Sequence, residues 1–138
     1  FRPVRTRTHF CSRCCYRCQI SESPSGSCHG PDIYAYISDG GIQEEISQGA
    51  GRLAGHLGLD NLIMFYDSND IQLSTATDAV TSEDVAKKYE AWHWKVITID
   101  GNDPDAIRTA LTEAKAVTGQ PTLIIGKTIM GKGATQSG

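Results

Sequence analysis

From residue 32 onward, short β-prone apolar runs alternate with stretches of helical periodicity, and this alternation restricts the fold more than any other feature of the chain. Residues 32–38 (DIYAYIS), 61–66 (NLIMFY), 95–99 (KVITI) and 122–128 (TLIIGKT) read as strands. Between the first two, Ile42, Ile46, Ala50, Leu53 and Leu57 recur at spacings of three and four, which predicts one helix that Gly58 ends. The segment 81–84 (TSED) has the form of a capping box opening a helix to about Trp92. Asp103 and Pro104 open a third helix, with Ile107, Ala110, Leu111 and Ala114 on one face, and residues 119–121 (GQP) break it. Strands alternating with helices predict an α/β fold, a parallel sheet with helices on both faces. Ligands in such sheets bind at the carboxyl ends of the strands.

Two residues stand at such ends. Asp39 follows the first strand and Asn69 the second, 30 positions later. A carboxylate and a carboxamide oxygen on neighbouring strand ends suit a hard divalent cation. Mg²⁺ takes octahedral oxygen ligands at about 2.1 Å and draws most of them from phosphate and water. The helix opening near Gly41 would aim free N–H groups at the same place, and Gly40 and Gly41 would let phosphate oxygens approach the backbone. Taken alone, an Asp-Gly pair after a strand serves equally as a tight turn with a helix cap.

Charge and cysteine divide the chain. Residues 1–30 hold five arginines, one acid and all five cysteines. The remainder holds eight basic and fifteen acidic residues, a balance that argues against nucleic acid as a partner. No apolar run approaches the ~20 residues that span a membrane, and the Arg-rich start has no secretory pattern, so a cytoplasmic protein is expected.

Segments 36–47 (YISDGGIQEEIS), 53–63 (LAGHLGLDNLI), 66–73 (YDSNDIQL), 82–91 (SEDVAKKYEA), 121–124 (PTLI) and 128–133 (TIMGKG) together resemble the transketolase family over about 100 residues. The resemblance implies an incomplete thiamine-diphosphate-binding fold. It implies Asp39 and Asn69 as metal ligands, with the backbone carbonyl of Ile71 as a third. Gly40 and the Asn69 amide match diphosphate contacts, and Leu73 matches an aliphatic residue packed on the thiazolium ring. Glu44 matches an acid near the subunit interface that links two cofactor sites, although as a helix acid it is equally satisfied by the dipole. Implied cofactors are thiamine diphosphate and Mg²⁺ (or Ca²⁺). The implied reaction is two-carbon ketol transfer between sugar phosphates, in the pentose phosphate pathway, by a homodimer or with a complementary subunit. Ser38 replaces the usual first glycine of the Gly-Asp-Gly turn, which a negative φ tolerates. His56 and His93 match no catalytic histidine; His56 is expected to be partly buried and His93 at the surface. Trp92 and Trp94 are expected to pack against the sheet. The family's catalytic histidines, its substrate-phosphate residues and its activating glutamate have no match here, so the polypeptide alone is expected to be inactive.

Residues 11–18 (CSRCCYRC), with Cys28 and His29, have paired Cys-x-x-Cys spacings that suit zinc. Against that reading, the pairs abut, whereas a structural site separates them by a loop. A disulfide framework is also poor, because the count is odd. A one-base shift explains more. Cysteine codons read out of frame as Ala or Val, and residues 1–30 can then be read as a Gly-Pro-x-Gly loop and an Ala-rich helix, both of which the family carries here. Residues 1–30 are accordingly expected to be a non-matching leader, translated out of frame or disordered, before a partial cofactor-binding domain at 31–138. Resequencing the DNA tests this: an open frame with no shifted match beside it contradicts it. Two alternatives remain: another thiamine-diphosphate sugar-phosphate synthase, and a non-catalytic α/β domain with a zinc module.

Overall fold

The computed structural model describes residues 32–72 and 75–133. The expectations for residues 1–30 and for Leu73 therefore lie outside the described residues. Four parallel strands form the sheet: β1 (Ile33–Ser38), β2 (Leu62–Ser68), β5 (Lys95–Asp100) and β6 (Thr122–Lys127), in the order β1-β2-β6-β5. Between β1 and β2 lie α1 (Asp39–Gln43) and α2 (Glu45–His56). After β2 come two short strands, β3 (Ile71–Gln72) and β4 (Thr75–Ala76), paired antiparallel, then α3 (Val85–Ala91). The helix α4 (Pro104–Ala116) joins β5 to β6.

Side-chain parity assigns each strand residue to a face. Ala35, Ile37, Leu62, Met64, Tyr66, Leu123 and Ile125 meet Ile42, Ala54, Tyr89 and Trp94 on the face covered by α1 to α3. Ile63 and Ile124, with partly buried Phe65, Ile97 and Ile99, meet Ala110 and Ala114 of α4 on the other. The helices thus cover both faces, as expected. The chain runs outward from β1 to β2 to β5 and then reverses to β6. With crossovers of one hand, that reversal moves α4 to the opposite face. The two central strands are covered on both sides, which is why they read as unbroken apolar runs. Leu123 and Ile124 are fully buried, each contributing about 1.5–3 kcal/mol by transfer from water.

Helix ends largely follow the sequence signals. Asp103 caps α4, its side chain accepting from the Asp105 N–H at 3.0 Å, with Pro104 in the first turn. Gly58, at φ 61°, ends α2 in the left-handed conformation. Helix α3 starts later than its apparent capping box: Asp84 is the cap and accepts from the Lys87 N–H at 3.1 Å, while Thr81 accepts from the Glu83 N–H.

The helix after β1 departs from expectation. Its backbone breaks at Glu44, which is extended (φ −61°, ψ 132°). The buried residues of α2 are Ser47, Ala50, Gly51, Ala54 and Gly55, while Ile46, Leu53 and Leu57 are exposed. Bulk explains the inversion. Tyr89, Trp92 and Trp94 fill the space above the sheet, and only small residues let α2 approach them. A Cβ on Gly51 would meet the Tyr89 ring at 3.3 Å, and the Trp94 indole N–H donates to the Gly51 carbonyl at 2.8 Å. Trp92 and Trp94 therefore pack as expected. His93 is exposed as expected, but His56 is exposed too, because it follows the outward side of α2.

Candidate functional site

The register of β1 and β2 pairs Ser38 with Asp67, so the residues that follow each strand emerge side by side. Asp39, the first residue of α1, is 1% exposed. The Asn69 backbone N–H donates to its Oδ2 at 3.0 Å. The two residues singled out as cation ligands are therefore neighbours. Tyr66 of β2 donates its hydroxyl to Asp39 Oδ1 at 2.5 Å in a buried hydrogen bond. Burial and this bond push the Tyr66 phenol above its ordinary pKa.

Beyond Asn69 the backbone turns through Asp70 at φ 62°, and the Ile71 N–H returns to Asn69 Oδ1 at 3.1 Å. That bond fixes the carboxamide and holds Ile71, the third expected ligand residue, against it. A carbonyl oxygen has two lone pairs, so Asn69 Oδ1 retains one. One carboxylate, one carboxamide and one backbone carbonyl are all hard oxygen donors and fit Mg²⁺ or Ca²⁺. Among the described residues no group of three or more His, Cys, Asp or Glu side chains could hold a metal. With one carboxylate among these three expected ligands, a cation here draws its remaining ligands from elsewhere.

Gly40 and Gly41 play different parts. A Cβ on Gly41 would lie 3.0 Å from Ile37, so packing against β1 explains that glycine. On Gly40 it would meet nothing closer than Gln72 Oε1 at 4.0 Å. Protein packing makes no demand there, and the open backbone can be approached by a ligand. Gln43 donates to Gln72 Oε1 at 2.9 Å, tying the end of α1 to β3 beside it. Ser38 has φ −109°, a conformation open to serine. Glu44 is exposed at the break between α1 and α2 and makes no side-chain cap.

A second carboxylate is held on the α4 face. Tyr36 donates to Asp67 Oδ2 at 2.5 Å, and the Thr128 hydroxyl donates to Oδ1. Burial, with the bond to Asp67, pushes the Tyr36 phenol up to about 12. Thr128 also donates its N–H to the Ser68 carbonyl at 3.0 Å, which pins the segment after β6 to β2. A cleft of about 540 Å³ opens here between Asn69, Asp67, Phe65, Gly101, Ile129 and Met130. Sequence reasoning missed Tyr66, Tyr36 and Thr128. The period-two alternation of β2 carried the signal for Tyr66, since it shares a face with Leu62 and Met64, beneath the helix that bears Asp39.

The family described as transketolase, thiamine diphosphate binding domain, matches residues 22–138, a span that reaches into the Cys-rich segment. Transketolase 2 of Escherichia coli is 45% identical over 102 residues, covering 73% of this chain and 15% of the relative. The transketolase structure from Campylobacter jejuni superposes with a TM-score of 0.90 at 34% identity, covering 97% of this chain and 21% of that one. A Pichia stipitis transketolase in complex with sedoheptulose-7-phosphate superposes with a TM-score of 0.83 at 31% identity, covering 96% of this chain and 20% of that one. The chain thus spans about a seventh to a fifth of the length of these relatives.

Proposed function

This chain belongs to the transketolase family through its thiamine diphosphate-binding domain, and from that premise we propose that it clamps the diphosphate of the cofactor through one divalent cation. In this reading Asp39 and Asn69 ligate Mg²⁺ by their side chains and Ile71 by its carbonyl. The open backbone at Gly40 and the Asn69 amide would hold the phosphate oxygens, and the resemblance assigns Leu73 to the thiazolium ring. When bound, thiamine diphosphate supplies the nucleophile and the electron sink, and the protein supplies position and charge. The single observation that carries the reading is the 3.0 Å contact between the Asn69 amide and the Asp39 carboxylate.

The parent reaction is two-carbon ketol transfer between sugar phosphates, in keeping with the sedoheptulose-7-phosphate complex of the Pichia protein. The unit responsible in this reading is residues 31–138, which lie within the family match at 22–138. The chain alone is inactive in this reading, because the acid–base and substrate-phosphate groups are supplied by other segments or by a second subunit. Exposed Ile46 and Leu53 on α2, with Glu44 beside them, offer an apolar stripe for such a subunit. Among the described residues no helix is long and apolar enough to cross a membrane.

A chimera tests the proposal. Residues 33–133 replace their counterpart in the E. coli transketolase, and ketol transfer is assayed. Transfer by the chimera, its loss on Asp39→Asn, and no turnover by the 138-residue chain alone are expected. Full activity of the Asp39→Asn chimera would refute the clamp.

A further inference from the structure

The hydrogen bond from Tyr66 to Asp39 has no role in cation ligation itself, and its geometry is demanding. Tyr66 is 5% exposed and lies on β2, while Asp39 is 1% exposed and lies on α1. The phenol reaches Oδ1 at 2.5 Å while the Asn69 N–H, from the turn after β2, reaches Oδ2 at 3.0 Å. Both oxygens are thus tied, one by a side chain and one by backbone, and the carboxylate plane cannot turn. Charge-assisted bonds of this kind are the strong ones. We infer that Tyr66 is a positioning residue for the cation: it presents the Asp39 carboxylate in one fixed orientation and biases the site toward Mg²⁺ over Ca²⁺.

The inference rests on the clamp proposed above and adds to it a residue and a selectivity. The physical reason lies in the two ions. Mg²⁺ demands near-ideal octahedral geometry, whereas Ca²⁺ accepts six to eight oxygens and chelating carboxylates. A carboxylate pinned at both oxygens resists rotation into a chelating pose. Freed at Oδ1, it can turn and chelate the larger ion. Partners that orient a ligating side chain are worth about 10- to 100-fold in metal affinity.

The test uses the full chain with thiamine diphosphate present. Mg²⁺ and Ca²⁺ are titrated separately by calorimetry into the wild type, Tyr66→Phe and Asp39→Asn. The unfolding midpoint of each metal-free protein is recorded. The expected result is one cation bound by the wild type and none by Asp39→Asn. Tyr66→Phe should bind Mg²⁺ about 10- to 100-fold more weakly and Ca²⁺ with a smaller loss. Unchanged Mg²⁺ affinity in Tyr66→Phe overturns the inference while leaving the clamp intact. Equal losses for both ions, with a lowered midpoint, also overturn it, since that is the signature of a structural role. A wild type that binds neither ion removes the clamp and the inference together. A second measurement needs no folded variant: with ¹³Cζ-tyrosine labelling, the Tyr66 phenol resonance should shift on adding Mg²⁺. A stationary resonance contradicts the proposal.

Discussion

The backbone amide of Asn69 meets the carboxylate of Asp39 at 3.0 Å, across 30 residues of intervening chain. Because the donor is backbone, the two residues can be separated experimentally. Asn69→Ala leaves the bridge intact and removes the carboxamide together with its bond from the Ile71 N–H, so metal binding should be lost at a cost of only about 0.5–1.5 kcal/mol. Asp39→Ala removes the acceptor for both that amide and the Tyr66 hydroxyl. It should cost about 1–3 kcal/mol, because buried donors are left unpaired. Chemical denaturation of the two variants, set beside metal titration, checks the contrast.

Two glycines of α2 should respond oppositely to alanine. A helix interior favours Ala over Gly by about 1 kcal/mol. Gly49 has nothing within 4 Å of its would-be Cβ, so Gly49→Ala should stabilise by about 0.5–1 kcal/mol. At Gly55 the same atom would sit 1.8 Å from the Trp92 carbonyl oxygen. Gly55→Ala should therefore destabilise by about 2 kcal/mol or more as α2 is forced off α3. Thermal unfolding of both variants measures the difference.

Helices α2 and α3 end in the same way, with different residues. Gly58 (φ 61°) ends α2, the next N–H, from Leu59, reaching the Ala54 carbonyl at 3.2 Å. His93 (φ 65°) ends α3, and the Trp94 N–H reaches the Tyr89 carbonyl at 3.1 Å. A Cβ in the left-handed region costs about 1–2 kcal/mol. His93→Gly should raise stability by about 1 kcal/mol, measurable as a higher unfolding midpoint.

Acid should loosen α3 through its cap. The Lys87 ammonium bonded to Asp84 holds that carboxyl below its usual range. With the folded pKa below the unfolded one, the stabilisation is complete above the ordinary carboxylate pKa of about 3.9 and fades as pH falls from there. Both groups are fully exposed, so the effect should be small and shrink in salt. Asp84→Asn keeps a capping acceptor and should flatten this part of the pH profile, as thermal melts at low salt from about pH 6 to pH 3 would record.

The strands were legible because each is a short apolar run bounded by polar or Gly residues, and Asp103 with Pro104 announced α4 by cap chemistry alone. The neighbouring positions of Asp39 and Asn69 followed from two strand ends in one parallel sheet. Periodicity failed for α2, since Ile42, Ile46, Ala50, Leu53 and Leu57 form a good stripe but Ile46, Leu53 and Leu57 face outward. Close approach to Tyr89 and Trp94 selected the small residues instead, and a hydrophobicity count does not register smallness. The break at Glu44 and the β3–β4 pair depend on tertiary contacts and left no local mark.

A paramagnetic cation reports where on the chain a metal sits. Mn²⁺, which takes the same oxygen ligands as Mg²⁺, is titrated into the ¹⁵N-labelled full chain with thiamine diphosphate present. The amide resonances of Gly40, Asn69 and Ile71 should broaden first, and Asp39→Asn should abolish the selective effect. Broadening centred elsewhere, or unchanged by that substitution, would contradict the account.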